Sequence, residues 1–217
     1  MLFRSLFDLD GTLADSLGDI GGAMNEALAA RGLPEHSKQQ YRHFVGEGIE
    51  VLARRAAPGL SEDEIQALVV EYRARYAARI DLETRPYDGV PQMLDALVAA
   101  KVPIAVLSNK RDDFTLELVR RLFGRWPFVE VRGERAKTPR KPDPTSALEI
   151  VRTLGVAPGE CAFVGDTAID ILTAVAAKMI PIGVLWGFRD RAELVAAGAA
   201  RLLTHPRDLL GDKHDDW

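Results

Sequence analysis

The chain has 217 residues, of which 47% are hydrophobic and 28% charged, so it can bury a sizeable core as one domain with a large insertion or as two small domains. Its formal net charge of -4, with both signs interspersed, gives no broad basic surface for nucleic acid. No apolar run approaches the length of a membrane span, and the single cysteine, Cys161, excludes an internal disulfide and is expected to be buried.

The first predicted element is a short buried strand near residues 3–7, which ends at two carboxylates, Asp8 and Asp10. At a strand spacing of two, both side chains start on one side, at the carboxyl end where open α/β sheets hold ligands. Two anions this close repel each other unless a cation or a shared proton intervenes, and hard oxygen ligands favour Mg²⁺ over Zn²⁺. Asp10-Gly11 is also a common turn signal, so these residues alone leave an ordinary turn open.

Helical patterns fill the long interval that follows. This interval greatly exceeds one crossover, for which a complete unit needs about thirty residues. Ser61 and Glu64 form a capping box at the start of one helix. We therefore predict an inserted helical domain over residues 15–85 and a core domain over 1–14 and 86–217, although a purely structural bundle explains the same periodicity. The loop Gly46-Glu47-Gly48 falls between two helical patterns, where it serves either substrate contact or a plain turn.

Four more strand-like runs follow, near residues 103–107, 128–131, 161–165 and 180–184, mostly separated by helical patterns. This alternation predicts an α/β fold with a parallel sheet and helices on both faces. One helix is expected to have Asp143 as its N-cap and Pro144 as its first residue, and to end at Gly155.

Four segments resemble, in order, the motifs of the haloacid dehalogenase superfamily of phosphohydrolases: Asp8-Leu9-Asp10-Gly11-Thr12, Val106-Leu107-Ser108-Asn109-Lys110, Lys141-Pro142-Asp143-Pro144 and Phe163-Val164-Gly165-Asp166-Thr167-Ala168-Ile169-Asp170. Each motif is short, but four in the right order across nearly the whole chain are hard to obtain by chance. Segments 45–48, 85–90, 108–110 and 183–188 are most similar to the phosphoglycolate phosphatase-like branch. The resemblance implies a Rossmann-like parallel-sheet core with an all-helical cap inserted directly after the first motif.

The resemblance also implies the roles of the acidic residues. Asp8 would attack phosphorus to form an aspartyl phosphate, which splits one hard displacement into two easier ones. Asp10 would protonate the leaving oxygen and then deprotonate water, and its backbone carbonyl would join Asp8 as a ligand of Mg²⁺. Asp166 is predicted to bind the metal directly, with an N-cap as its alternative role, and Asp170 either to bind it or to orient a metal-bound water.

The remaining predicted site residues would bind the phosphoryl group or the substrate. Ser108 and Asn109 offer hydroxyl, amide and backbone N–H donors at a strand end, although helix capping explains them too. The Lys141 ammonium would bind phosphate and steady Asp8, and only the match to Lys-Pro-Asp-Pro favours it over Lys137 and Arg140. In the cap, Gly46, Glu47 and Gly48 would approach the substrate.

We therefore predict a Mg²⁺-dependent phosphatase acting on a small phosphorylated metabolite such as 2-phosphoglycolate. A phosphomutase or pyrophosphatase on the same core, or a non-catalytic binding module, are the alternatives. A dehalogenase is disfavoured, because that chemistry lacks the acid/base at the position of Asp10. No nucleic-acid partner, membrane partner or secretory leader is expected, and we expect a cytoplasmic monomer or homodimer.

Overall fold

The computed structural model describes residues 4–211. Its elements in chain order are β1 (Arg4–Phe7), β2 (Ala14–Asp15), α1 (Leu17–Ala29), α2 (Lys38–Phe44), α3 (Ile49–Ala56), α4 (Glu62–Arg79), β3 (Arg85–Pro86), α5 (Val90–Ala99), β4 (Ile104–Arg111), α6 (Asp112–Phe123), β5 (Glu130–Glu134), α7 (Thr145–Thr153), β6 (Cys161–Gly165), α8 (Ala168–Ala176), β7 (Ile180–Val184), α9 (Arg191–Ala196) and β8 (Arg201–Leu203). Short 3₁₀ helices cover Pro158–Glu160 and Pro206–Leu210.

Six of the strands form one parallel sheet in the order β5-β4-β1-β6-β7-β8. Alternate residues of its central strands pack into two separate apolar clusters, with Leu6 in one and Phe7 in the other. A parallel sheet covered on both faces has this pattern of near-continuous apolar strands. The predicted α/β class, with helices on both faces, is confirmed.

Helices α1 to α4 lie in sequence between β2 and β3, which pair as an antiparallel ribbon with Ala14 opposite Pro86. The buried carboxylate of Asp19 on α1 fixes the far end of this segment, because its Oδ2 accepts hydrogen bonds from Thr84 N at 2.8 Å and Thr84 Oγ1 at 2.6 Å. The capping box of Ser61 and Glu64 is present at the start of α4. The division into domains at residues 15 and 85 stays a prediction.

The structure adds to the predicted elements and corrects one boundary. A sixth strand, β8, extends the sheet. Helix α7 begins at Thr145 with Pro144 as its N-cap, one residue later than expected, although Asp143 Oδ1 still accepts a hydrogen bond from Thr145 N at 2.9 Å. Gly155 follows the helix end with a φ of +68°, as expected, and Cys161 is fully buried.

Two further sequence-based expectations concern the membrane and the C-terminus. Over residues 4–211, no helix has the length and apolarity needed to cross a membrane. Residues 212–217, where the sequence predicts a frayed polar tail, lie outside the described residues.

Candidate active site

Three buried carboxylates meet at the carboxyl edge of the sheet. Asp8 follows β1, Asp166 follows the neighbouring strand β6, and Asp170 lies in the first turn of α8. One oxygen of each lies within 4.8 Å of the others, and none of the three residues is more than 7% exposed. The sequence predicted that these residues share a site, and the structure brings them together.

The Lys141 ammonium lies among these carboxylates. Its Nζ is 2.8 Å from Asp8 Oδ1 and 2.7 Å from Asp170 Oδ1, and its side chain is 2% exposed. Burial alone would lower the pKa of Lys141, but the charges of Asp170 and Asp8 raise it above its usual value, so the ammonium stays protonated. The two other candidates for this cation lie elsewhere: Lys137 is exposed, and Arg140 pairs with Glu50 and Glu134.

The electrostatics of the site call for more positive charge than Lys141 supplies. Burial raises the pKa of Asp8 to about 7, although the Lys141 ammonium opposes this rise. Burial also raises the pKa of Asp166 well above its usual value, and the nearby charges of Asp170 and Asp8 add to this shift. Among the described residues, Asp8 Oδ1 accepts no hydrogen bond of good geometry. Three desolvated carboxylates with one ammonium therefore fit a site for a divalent metal.

Neighbouring donors hold the two C-terminal carboxylates in place. Asp166 accepts hydrogen bonds from Thr12 Oγ1 at 3.0 Å on Oδ1 and from the backbone N–H of Phe188 at 2.8 Å on Oδ2. Asp170 Oδ2 accepts from Thr167 N at 3.0 Å and Thr167 Oγ1 at 2.8 Å. Asp170 Oδ1 accepts from Lys141 Nζ, so both oxygens of this carboxylate are already bound to protein donors. The hydrogen bonds with Thr167 also form the capping box of α8.

Gly11 leaves the space that Asp166 occupies. Its φ is +87°, and a Cβ at this position would lie 2.2 Å from Asp166 Oδ2. Any side chain would therefore displace the carboxylate, besides straining the backbone. The Asp-Gly pair of the first motif thus serves the site as well as the turn.

Asp10 lies outside the carboxylate cluster. Its two oxygens accept hydrogen bonds from Lys110 Nζ at 2.7 and 2.6 Å, and Oδ1 accepts another from Ser16 Oγ at 2.6 Å. This carboxylate is thus paired with a cation of its own, Lys110. The role of its backbone carbonyl as a metal ligand stays a prediction.

Asn109 connects the site to the loop between α2 and α3. Its Nδ2 donates to the backbone carbonyls of Gly46 and Lys141, both at 3.1 Å, and its Oδ1 accepts from Lys141 N at 2.9 Å. The amide is therefore occupied by backbone groups, and positions the chain around Lys141 and Gly46. The buried neighbour Ser108 accepts from Lys110 N at 3.2 Å.

The loop itself contacts the sheet domain through its backbone. Gly46 and Gly48 have φ values of +123° and +91°, and both line a cavity with Asp8. Arg189 Nη2 donates to Val45 O at 2.9 Å. The Glu47 side chain pairs with Arg55, and it is not among the residues that line the cavity.

The cavity is the open space of the site, with a volume of about 60 Å³. Its polar end contains Asp8, Asp10, Ser108 and Lys110. Its apolar wall comes from α1, α3, α4 and α6, through Ile20, Ile49, Leu52, Tyr72, Tyr76 and Phe114. Of the carboxylates and phosphate-binding candidates predicted from sequence, Asp8, Asp10, Ser108 and Asn109 line this cavity. Asp166, Asp170 and Lys141 do not line it, and are connected to it through their contacts with Asp8.

Three features of this site were not predicted from the sequence. Thr12 was part of the first motif, but its hydroxyl was not expected to hold Asp166. The place of Tyr76 in the cavity wall had no sequence signal, since a helical repeat does not reveal a cavity. The pairing of Lys110 with Asp10 joins residues 100 positions apart and had no sequence signal either.

Comparison with known proteins identifies relatives across nearly the whole chain. A family model described as haloacid dehalogenase-like hydrolase matches residues 5–184. A phosphoglycolate phosphatase from Xylella fastidiosa is 36% identical over 214 residues, which cover 98% of this chain and 92% of the relative. Phosphoglycolate phosphatase 1 from Pseudomonas aeruginosa is 32% identical over 212 residues, covering 94% of this chain and 77% of the relative.

Solved structures of haloacid dehalogenase-like proteins also resemble this chain. A crystal structure from Lactobacillus delbrueckii subsp. bulgaricus, named provisionally as a phosphoglycolate phosphatase, superposes with a TM-score of 0.90 at 29% identity. The match covers 98% of this chain and all of the other. A haloacid dehalogenase-like family protein from Streptococcus pneumoniae superposes with a TM-score of 0.86 at 25% identity, covering 96% of this chain and 97% of the other.

Proposed function

The chain belongs to the haloacid dehalogenase-like hydrolase family and is a phosphatase enzyme, and from this premise we propose that it hydrolyses a small phosphate monoester, 2-phosphoglycolate, with Mg²⁺ as its metal. The observation that carries the proposal is the buried Asp8 carboxylate, held 2.8 Å from Lys141 Nζ beside Asp166 and Asp170 in a cavity. Relatives named phosphoglycolate phosphatase, which cover nearly the full chain, support this choice of substrate.

The reaction follows from the two carboxylates of the first motif. Asp8 attacks phosphorus, so that a bond forms between its oxygen and phosphorus while the bond to the leaving oxygen breaks. Asp10 donates a proton to the leaving oxygen, and then takes a proton from the water that hydrolyses the aspartyl phosphate. Lys141 supplies positive charge to the phosphoryl oxygens, and Ser108 supplies a hydroxyl donor.

The charge balance of the site supports a divalent cation. Asp8, Asp166 and the backbone carbonyl of Asp10 would hold it, and their hard oxygens suit Mg²⁺. Both oxygens of Asp170 already accept from protein donors, which favours an indirect role in orienting the other ligands. When bound, the cation would offset the negative charge of the phosphoryl group and of the carboxylates around it.

The helical segment over residues 15–85 would serve as a cap over the core formed by 1–14 and 86–217. Its loop at Gly46 and Gly48 lines the cavity, and its helices form most of the apolar wall. The cap would therefore contact the leaving group, while the sheet edge contacts the phosphoryl group. A cytoplasmic location and a monomeric or homodimeric state stay predictions.

The test is phosphate release from 2-phosphoglycolate, pyrophosphate and β-glucose 1-phosphate, with Mg²⁺ or with EDTA. Wild type would be compared with Asp8→Asn and with Asp63→Asn, a control that changes an exposed carboxylate on α4. We expect Mg²⁺-dependent release that is abolished only in Asp8→Asn, with 2-phosphoglycolate as the best substrate. Preference for pyrophosphate would favour a pyrophosphatase, and no release from any ester by the folded protein would favour a mutase or a binding module.

A further inference from the structure

Lys110 is a buried cation that keeps one donor free. Its side chain is 7% exposed, and its Nζ donates to both oxygens of Asp10 at 2.7 and 2.6 Å. An ammonium carries three N–H donors, and among the described residues no further oxygen accepts the third. The same Nζ lies 4.8 Å from the ring centroid of Tyr76, so an aromatic face also contacts this charge.

The position of this ammonium matters for the leaving group. Asp10, its partner, is the residue assigned to protonate the leaving oxygen. Lys110 lines the cavity together with Asp8 and Asp10. A substituent one or two bonds from the leaving oxygen would therefore lie beside the Lys110 ammonium.

Two arginines beside the loop between α2 and α3 are already occupied. Arg42 donates to the backbone carbonyls of Gly187 at 2.7 Å and Phe188 at 3.2 Å. Arg140 is paired with Glu50 and Glu134.

The other cation of the cavity wall, Arg111, is paired with Asp113 at 2.7 Å and is 37% exposed. A charge of this exposure is screened by solvent, whereas that of Lys110 is not. Of the two cationic side chains that line the cavity in the described part of the chain, Lys110 is thus the desolvated one.

The rest of the cavity selects a small group with few polar atoms. A volume of about 60 Å³ is room for about five water molecules. The apolar wall of the cavity includes Ile20, Ile49 and Leu52. A sugar would leave several hydroxyls without partners there, which is costly.

We propose that Lys110 binds a carboxylate on the leaving group, and so selects phosphate esters of small hydroxy acids. This inference rests on the proposed phosphatase function, because it assigns the part of the substrate that the phosphoryl site does not bind. Lys110 then acts as a specificity-determining residue, and its hydrogen bonds to Asp10 fix where the carboxylate lies.

The test compares two esters that differ only in the group that Lys110 is assigned to bind. 2-Phosphoglycolate carries a carboxylate where ethyl phosphate carries a methyl group. We expect Lys110→Met to lower the ratio of kcat/KM for 2-phosphoglycolate to kcat/KM for ethyl phosphate by about 10- to 100-fold, mainly through KM, as for one lost charge-assisted hydrogen bond. Lys38→Met, which changes an exposed lysine of α2, should leave the ratio unchanged.

Several outcomes would overturn the inference. If Lys110→Met slows both esters equally, Lys110 only positions Asp10. If wild type shows no preference for 2-phosphoglycolate over ethyl phosphate, the carboxylate is not recognised although the phosphatase function stands. Release from neither ester would overturn the proposed function as well.

Two further measurements keep the inference testable if Lys110→Met does not fold. Lys110→Gln retains a polar tip without the charge, and should show the same change in the ratio. In wild type, glycolate should inhibit competitively while its amide, glycolamide, should not, because the amide has no charge to pair with the ammonium. Equal inhibition by both compounds would contradict the inference.

Discussion

The Lys141 ammonium lies 2.8 Å from Asp8 Oδ1, with the lysine side chain 2% exposed and the aspartate side chain 10% exposed. Because this contact is desolvated, each of the two charges strongly affects the other. The ammonium holds the nucleophile in place and offsets its charge. Removal of Lys141 would leave buried carboxylates without their cation, whereas removal of Asp8 would leave Lys141 paired with Asp170.

We therefore expect Lys141→Met to lower kcat/KM by about 10²- to 10³-fold, since a well-aimed cationic donor is lost. The matched control is Lys137→Met, four residues earlier in the chain and exposed, for which we expect less than about a twofold change because a solvated charge contributes little there. Steady-state kinetics with 2-phosphoglycolate measure both. Similar losses in the two variants would contradict the assignment of Lys141.

Asp166→Asn tests the proposed metal site. The amide keeps the shape of the side chain but removes a charged ligand, so we expect activity to fall by at least about 10²-fold, as when a principal electrostatic contact is lost. In EDTA this variant should be no less stable than wild type, because one of three mutually repelling carboxylates is gone. Thermal melts with and without Mg²⁺ check this, and a metal-induced rise in Tm as large as in wild type would contradict the role of Asp166.

The carboxylate site could be predicted from sequence because its geometry is local to strand ends. Asp8 and Asp166 each follow an apolar run, and parallel neighbouring strands bring their carboxyl ends to one edge. The helical segment could also be predicted, because the capping box at Ser61 marks a helix start directly. Structural features that depend on a periodic pattern or on neighbouring residues can thus be predicted from the sequence alone.

What could not be predicted depends on partners distant in the chain. Lys110 meets Asp10 across 100 residues, and Asn109 meets Gly46 across 63. No local pattern encodes either contact, so the sequence predicts Asn109 as a phosphate-binding residue without indicating its backbone partners. Strand β8 has only three residues, at the edge of the sheet, too few for alternation to distinguish it from a loop.

The stability of the metal-free protein should fall as pH rises from about 4 to 7. Burial raises the pKa of Asp8 from 3.8 to about 7, so in this window the folded protein keeps a proton that the unfolded chain has lost. The free energy of unfolding then decreases with pH, by at most about 1.4 kcal/mol per pH unit for one proton. Denaturant melts in EDTA at pH 5 and pH 7 measure it.

Asp8→Asn is the control for this pH effect. The amide does not titrate, so the dependence on pH should weaken and leave the part due to Asp166, whose pKa burial also raises. Mg²⁺ should have the opposite effect in wild type, raising Tm more at pH 7 than at pH 5, since the cation competes with protons for the carboxylates. A wild-type protein in EDTA whose stability rises between pH 5 and pH 7 would contradict the raised pKa of Asp8.

Gly11→Ala should abolish activity while leaving the sheet intact. The added Cβ would lie 2.2 Å from Asp166 Oδ2, at a φ of +87° that alanine rarely adopts. The matched control is Gly32→Ala, where φ is +67° but no atom lies within 4 Å of the added Cβ. Both variants carry the backbone strain, so a loss of activity confined to Gly11→Ala isolates the displacement of Asp166, and full activity of Gly11→Ala would contradict it.

Tyr76→Phe tests a hydroxyl that the fold leaves without a partner. Tyr76 is fully buried, stacks on Tyr72 at a centroid distance of 5.5 Å and meets Phe114 edge-on at 5.0 Å. Its hydroxyl has no hydrogen-bond partner among the described residues. Phenylalanine keeps the ring contacts and removes a buried unsatisfied donor, so we expect the free energy of unfolding to stay equal or rise by up to about 1–2 kcal/mol.

Tyr41→Phe provides the matched control on the same helical segment. Tyr41 is also buried, but its hydroxyl donates to Asn25 Oδ1 at 2.6 Å, so the same chemical change should lower the free energy of unfolding by about 1 kcal/mol. Denaturant melts should therefore show changes in the free energy of unfolding of opposite sign for the two variants. A destabilised Tyr76→Phe would mean that an ordered water or another group satisfies this hydroxyl, and that the cavity beside Lys110 is more polar than its apolar wall indicates.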